Sequence, residues 1–260
     1  MMKSRYKHLV VSGCSFTTNE HVPDRSDWNW PNILAKDTNM IIHNLATAGA
    51  GNTHIANSII VYLEKTQLPP EDVLVIAMWS GTGRIDFTVS TEIDPRKKYT
   101  WNYLYAPSCR LHQGGNWWNT TNPIGVDKIL TDYSKFQDEY TLGLQTWLAM
   151  TNLASYLNSK NICHFFTSFL HYASNEIYFD AVHVDIDNTL AKMGLKIDRS
   201  RWLNLASADY FGDWCVKRGL LTPDGFHPGL DGPQRWPREI LIPLLIELNV
   251  LYNEQSDGCN

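Results

Sequence analysis

Four short apolar runs, His8 to Ser12, Met40 to His43, Val73 to Met78 and Ile162 to Phe166, are each bounded by turn-forming residues and separated by stretches of helical character. Strands that are apolar throughout are buried on both faces, and strands alternating with helices are joined by crossovers, so the pattern predicts a parallel sheet covered on either side. The expected class is α/β. Trp30 to Lys36, His54 to Lys65 and Phe136 to Leu157 supply the helices, the last with Leu142, Leu144, Trp147, Leu148 and Leu153 on one stripe. Gln234 to Leu251 closes the chain as another helix, with Pro237 near its start and Pro243 as a kink point. From Arg84 to about Asp132 the pattern gives way to Pro, Gly, Asn and aromatic residues without a period, which predicts an irregular insertion (85–132) over one end of the sheet. No repeat or linker divides the 260 residues, of which 43% are hydrophobic, so a single domain spanning 1–260 is expected.

Composition excludes several partners. The 22 Lys and Arg stand against 27 Asp and Glu, and no basic run offers a nucleic-acid footprint. The longest apolar stretches, such as Ile240 to Ile246, fall far short of the roughly 20 residues of a membrane span, so a soluble protein is expected. Leu9-Val10-Val11 is too short for the apolar region of a signal peptide. The five cysteines are odd in number and dispersed, without the spacing of a zinc site or disulfide framework. A cytoplasmic location is the expectation.

The first strand runs directly into Gly13-Cys14-Ser15-Phe16-Thr17. Ligands of open α/β sheets bind at the carboxyl edge of the strands, and a serine on a tight turn there presents its oxygen to the crevice, which makes Ser15 a candidate nucleophile. Near the other end stands Asp224-Gly225-Phe226-His227-Pro228. A hydroxyl needs a base to take its proton, and an imidazole needs an acceptor at its second nitrogen to hold the tautomer, so His227 and Asp224 can supply both from one short loop.

A serine after the first strand combined with Asp-x-x-His before the C-terminal helix resembles the SGNH hydrolases, also called the GDSL esterase/lipase family. Asn44-Leu45-Ala46-Thr47-Ala48-Gly49, directly after the second strand, is similar to that family's second block. The resemblance implies a three-layer α/β/α, flavodoxin-like fold, with Ser15 as nucleophile, His227 as general base, Asp224 as its partner and no cofactor. It implies further that the backbone N–H groups of Gly49 and Ser15 form the oxyanion hole. Gly49 is chosen over Gly51 because it stands five residues after Asn44. Asn52 is then a helix N-cap or, alternatively, an amide facing the site.

The third block departs from the family, which has an asparagine there to complete the oxyanion hole. Met78-Trp79-Ser80-Gly81-Thr82-Gly83-Arg84 contains none. Ser80 and Thr82 as neutral donors, Arg84 as a cationic one and Asn52 from the preceding block are the candidate replacements. Arg84 is alternatively a substrate contact or half of a surface ion pair, and Trp79, with Trp28, Trp30, Trp117 and Trp118, lies near the expected mouth, where an aromatic face is a candidate to stack on substrate, the alternative being a place in the core. His183-Val184-Asp185-Ile186-Asp187 reads as a solvated loop and His164 as a satisfied buried histidine, so no metal site is expected. Absence of a glycine-rich phosphate loop argues against nucleotide cofactors. The chain is therefore expected to cleave a carboxylic ester through an acyl-enzyme, on a small acyl group carried by a small molecule or glycan. A catalytically degenerate glycan- or protein-binding domain is the alternative.

Overall fold

The computed structural model describes residues 2–18, 28–82, 84–88, 105–112, 115–117, 138–169, 186–203, 210–223, 225 and 227–253. Strands β1 (Met2–Ser4) and β2 (His8–Ser12) lead into a short helix α1 (Ser15–Thr18), followed by α2 (Trp30–Thr38), β3 (Ile41–Asn44), α3 (Asn52–Thr66) and β4 (Val73–Trp79). Then come β5 (Arg84–Thr88), β6 (Tyr105–His112), β7 (Gly115–Trp117), α4 (Glu139–Ser159) and β8 (Cys163–Ser168). Helices α5 (Ile186–Lys192), α6 (Phe211–Lys217), α7 (Asp231–Trp236) and α8 (Ile242–Glu247) precede β9 (Leu251–Asn253).

The four expected strands form one parallel sheet in the order β3-β2-β4-β8. Every residue of β4 is buried, and its alternation explains how both faces are covered. Leu74, Ile76 and Met78 join Leu9, Val11, Trp30, Leu34, Phe211 and Trp236 in one core. Val73, Val75, Ala77 and Trp79 join Val10, Ile55, Ile59, Leu63, Met150, Leu153 and Leu157 in the other. The result is the three-layer α/β/α architecture. Because β3 and β4 lie on opposite sides of β2, the chain leaves β2 and β4 in diverging directions, and this divergence opens the crevice at the carboxyl edge.

Helix ends follow local chemistry. Asn29 caps α2 by accepting the Asn32 N–H at 2.9 Å, and Asp138 caps α4 by accepting the Thr141 N–H at 2.8 Å. Leu148 departs from the expected stripe: it is solvent-exposed, whereas Leu142, Ala149, Met150, Leu153 and Leu157 form the buried face of α4.

Two larger expectations are corrected. The insertion is not irregular in its described part, since β5, β6 and β7 pair as an antiparallel sheet. Pro107 and the polar residues of Tyr105–His112 hide that strand from an alternation test. The C-terminal segment is helical without a break from Asp231 to Glu247, ending before the expected Leu251, but Pro237–Leu241 winds as a π turn between α7 and α8. Pro243 has no N–H for the carbonyl of Glu239 and its ring crowds that carbonyl, so the helix widens just ahead of it and Ile242 bonds back to Pro237. The chain then pairs β9 with β1, neither of which the apolar pattern marks. Among the described residues, no helix is long and apolar enough to cross a membrane, and Cys14, Cys163 and Cys215 are free thiols.

Candidate active site

The first turn at the carboxyl edge is shaped by a close approach. A Cβ on Gly13 would lie 2.1 Å from Thr17 Oγ1 and 3.3 Å from the Met78 carbonyl, so only glycine lets β2 turn this tightly into α1. Phe16 anchors the turn by packing on Phe169, with ring centroids 4.7 Å apart, and on Phe211. Ser15 stands at the first helical position, where the backbone N–H has no intrahelical acceptor.

The loop after β3 is tied to this turn. Thr47 N–H donates to Gly13 O at 3.1 Å, Asn44 Nδ2 to Thr17 O at 3.3 Å, and Ala46 N–H to Asn44 Oδ1 at 3.1 Å. Asn44 therefore has a bracing role, and Gly49, with φ of +81°, turns the loop toward α3 in a conformation that favours glycine.

The C-terminal loop closes on itself before it meets the serine. Thr222 N–H donates to His227 O at 2.8 Å, Gly225 N–H to Thr222 O at 2.9 Å, and Gly229 N–H to Leu220 O at 2.8 Å, while Gly225 takes a φ of +71°. This turn sets the His227 ring 5.5 Å from Phe16 and its Nε2 3.3 Å from Ser15 Oγ. Two residues 212 positions apart in the chain thus share a hydrogen bond at the sheet edge. Asp224 lies outside the described residues.

The third-block candidates end up in other places. Asn52 is neither the cap nor a donor to the crevice: Gly51 is the N-cap of α3 and Asn52 its first helical residue, buried at 4% exposure. Its Nδ2 hydrogens go to Ser80 O and Thr146 Oγ1, both at 3.1 Å, and its Oδ1 accepts the Ser80 N–H at 2.8 Å. The amide is fully used in fixing the end of β4. Asn52→Ala would leave the buried Ser80 peptide groups without these partners, so it is expected to lower stability by about 2 kcal/mol, read as a lower denaturation midpoint.

Ser80 and Thr82 are buried, and Trp79 is 0% exposed, packed edge-on against Phe166 at 5.3 Å. Trp79 is a core residue, as the inward parity of β4 requires, and has no surface for a substrate. Trp30 is likewise core, packed on Trp236, while Trp28 is half-buried. The side chains of Trp117 and Trp118 lie outside the described residues. His164 is buried with Nδ1 3.0 Å from Ile162 O, and Asp187 pairs with Arg199 on the surface, whereas 183–185 are not described. Among the described residues no cluster of metal-ligating side chains occurs.

Arg84 is at 7% exposure, and its Nη1 donates to Ala50 O at 3.0 Å while the guanidinium lies 5.9 Å from the Phe169 ring centroid. It is not on the surface, as an exposed ion pair would require, and it braces the loop after β3 through the Ala50 carbonyl. Asp86, which the sequence reading missed, accepts the Gly51 N–H through Oδ1 and the His54 N–H through Oδ2, both at 2.8 Å. Burial pushes its carboxyl up from the ordinary range, against the pull of those two N–H groups, His54 and Arg84. Burial likewise pushes the His54 imidazole down. A strand reading of Arg84–Thr88 was the available signal, since residues two apart on a strand share a face.

No family model matches the chain, and no curated protein matches it significantly. Solved structures do. TesA superposes with a TM-score of 0.50 at 11% identity, covering 93% of this chain and 99% of that one. The psychrotrophic esterase EstA from Pseudoalteromonas sp. gives 0.47 at 9% identity, over 94% and 99% of the two chains. A member of the lipolytic protein G-D-S-L family from Veillonella parvula gives 0.46 at 10% identity, over 90% and 98%. At 11% identity the likeness to TesA is one of fold.

Proposed function

We propose that this chain, which has the SGNH-hydrolase fold, is a cofactor-independent serine esterase with Ser15 as nucleophile and His227 as general base. The observation that carries the reading is the contact of His227 Nε2 with Ser15 Oγ at the carboxyl edge of the parallel sheet. With its proton on Nδ1, the imidazole accepts the serine proton as Oγ attacks the ester carbonyl. The same imidazole returns that proton to the departing alcohol, leaving an acyl-serine that water hydrolyses by the reverse sequence. A separation of 3.3 Å suits a resting site that tightens when substrate is bound.

The developing oxyanion needs donors already in place. The first-turn N–H of Ser15 and the N–H of Gly49 fill that role in the proposed site, and Asp224, from the same loop as His227, orients the imidazole. Small-molecule esters or O-acylated glycans with short acyl groups are the proposed substrates.

A fluorophosphonate probe tests the chemistry independently of substrate choice, because labelling requires an activated serine. Labelling that maps to Ser15, with hydrolysis of short-chain aryl esters or acetylated glycans, is the expected result. An unlabelled, inactive but folded protein that still binds glycan would overturn it in favour of a degenerate binding domain.

A further inference from the structure

Arg84 and Asp86 leave the same face of β5 and reach one peptide unit of the loop after β3. Arg84 Nη1 donates to the carbonyl of Ala50 at 3.0 Å, and Asp86 Oδ1 accepts the N–H of Gly51 at 2.8 Å. That C=O and that N–H belong to the same planar group, so a cation and an anion grip it at its two ends. The fit is close: a Cβ on Gly51 would lie 2.6 Å from Asp86 Oδ2. The second oxygen of Asp86 extends the grip to the His54 N–H in the first turn of α3.

We infer that Arg84 and Asp86 are positioning residues for the oxyanion hole, holding the Gly49 loop by its backbone where the third block offers no asparagine side chain; this rests on the esterase reading above. Gly49 adopts a φ of +81° and has no side chain to anchor it. Its position is set by the peptides on either side. Upstream, Thr47 N–H is tied to Gly13 O at 3.1 Å, and Ala50 N–H closes back on Thr47 O at 3.0 Å. Downstream, the Ala50–Gly51 peptide is the one that Arg84 and Asp86 hold. Release of that peptide frees the backbone dihedrals of Ala50 and lets the Gly49 N–H drift from the place where negative charge develops. A donor misplaced by about 1 Å costs on the order of 100-fold in rate while ground-state binding changes little.

The test compares Arg84→Met, Asp86→Asn, their double variant and Arg84→Lys by steady-state hydrolysis of an aryl ester, with melting temperature recorded for each. Asp86→Asn places an amide hydrogen donor against one of two N–H groups, whereas the double variant leaves no isolated buried charge and so carries the test if a single variant fails to fold. Each single variant is expected to lose about 10- to 100-fold in kcat with KM within about threefold of wild type. The double should lose no more than the worse single, because both residues act on one peptide, and Arg84→Lys should retain more activity than Arg84→Met. Leu63→Ala, a core truncation in α3 remote from the loop contacts, calibrates stability loss alone and should lower the melting temperature with kcat kept. Variants that match Leu63→Ala, with kcat retained well below their melting temperatures, overturn the inference while a labelled, active wild type leaves the esterase reading standing. A folded wild type that neither labels at Ser15 nor hydrolyses any ester overturns both.

Discussion

Ser15→Ala is expected to abolish ester hydrolysis and fluorophosphonate labelling while leaving the protein folded. In the proposed site the nucleophile, the base and its orienting group would act as a unit, so removing the nucleophile should cost about 10⁶-fold in kcat and adding a second defect little more. Stability should barely respond. Ser15 is at 6% exposure, and its hydroxyl contributes one hydrogen bond, to His227, worth about 1 kcal/mol. The turn itself is held by groups that the substitution leaves alone: Phe16 in the core, the close contact at Gly13 and the N–H bonds of Thr17 and Thr18 to Cys14 O, at 2.8 and 3.1 Å. Circular dichroism and a melting curve establish folding, and turnover of a short-chain aryl ester reads the effect. Full turnover by a folded Ser15→Ala variant would remove Ser15 from the mechanism.

The layered sheet was legible because its signal is local. Each central strand is an apolar run that must be buried on both faces, and Val73–Trp79 meets that condition at every position. The juxtaposition of Ser15 and His227 at the sheet edge follows from a related constraint: a serine leaving the first strand and a histidine on a glycine turn are positions where backbone geometry limits the alternatives. The bracing of the crevice was not legible. Asn52 looks like a helix cap, since it opens a helical stretch, yet the cap position falls on Gly51, where Asp86 reaches in from β5 to accept the N–H of the cap residue and that of His54 in the first turn. Nothing near Asn52 in the sequence reveals that Ser80 and Thr146, 28 and 94 positions away, take up its amide. Arg84 shows the same limit, since nothing near it in the sequence reveals its Ala50 partner, 34 positions away. Trp79 shows the opposite limit. Proximity to a motif suggested the crevice, whereas strand parity sends its indole into the core beside Phe166.

His227 is expected to impose a single rising limb on the pH profile, with kcat/KM falling as the solution is acidified. Only the neutral imidazole can accept the Ser15 proton, so protonation removes the base and breaks the acceptor side of the Nε2 contact with Oγ. His227→Ala should lower kcat by about 10⁴- to 10⁶-fold and flatten what remains of the profile, because the residual rate no longer depends on that ionisation. The double variant Ser15→Ala with His227→Ala decides whether the two act together: no further loss beyond the worse single variant is expected, whereas independent roles would multiply the two losses. The ring also packs 5.5 Å from Phe16, so the alanine variant needs a melting curve beside the kinetics to separate lost packing from lost chemistry. His227→Gln supplies the second control, since it keeps a polar side chain of similar reach but cannot titrate as an imidazole does. A glutamine variant with wild-type kcat/KM and an unchanged acid limb would assign the proton transfer to another group.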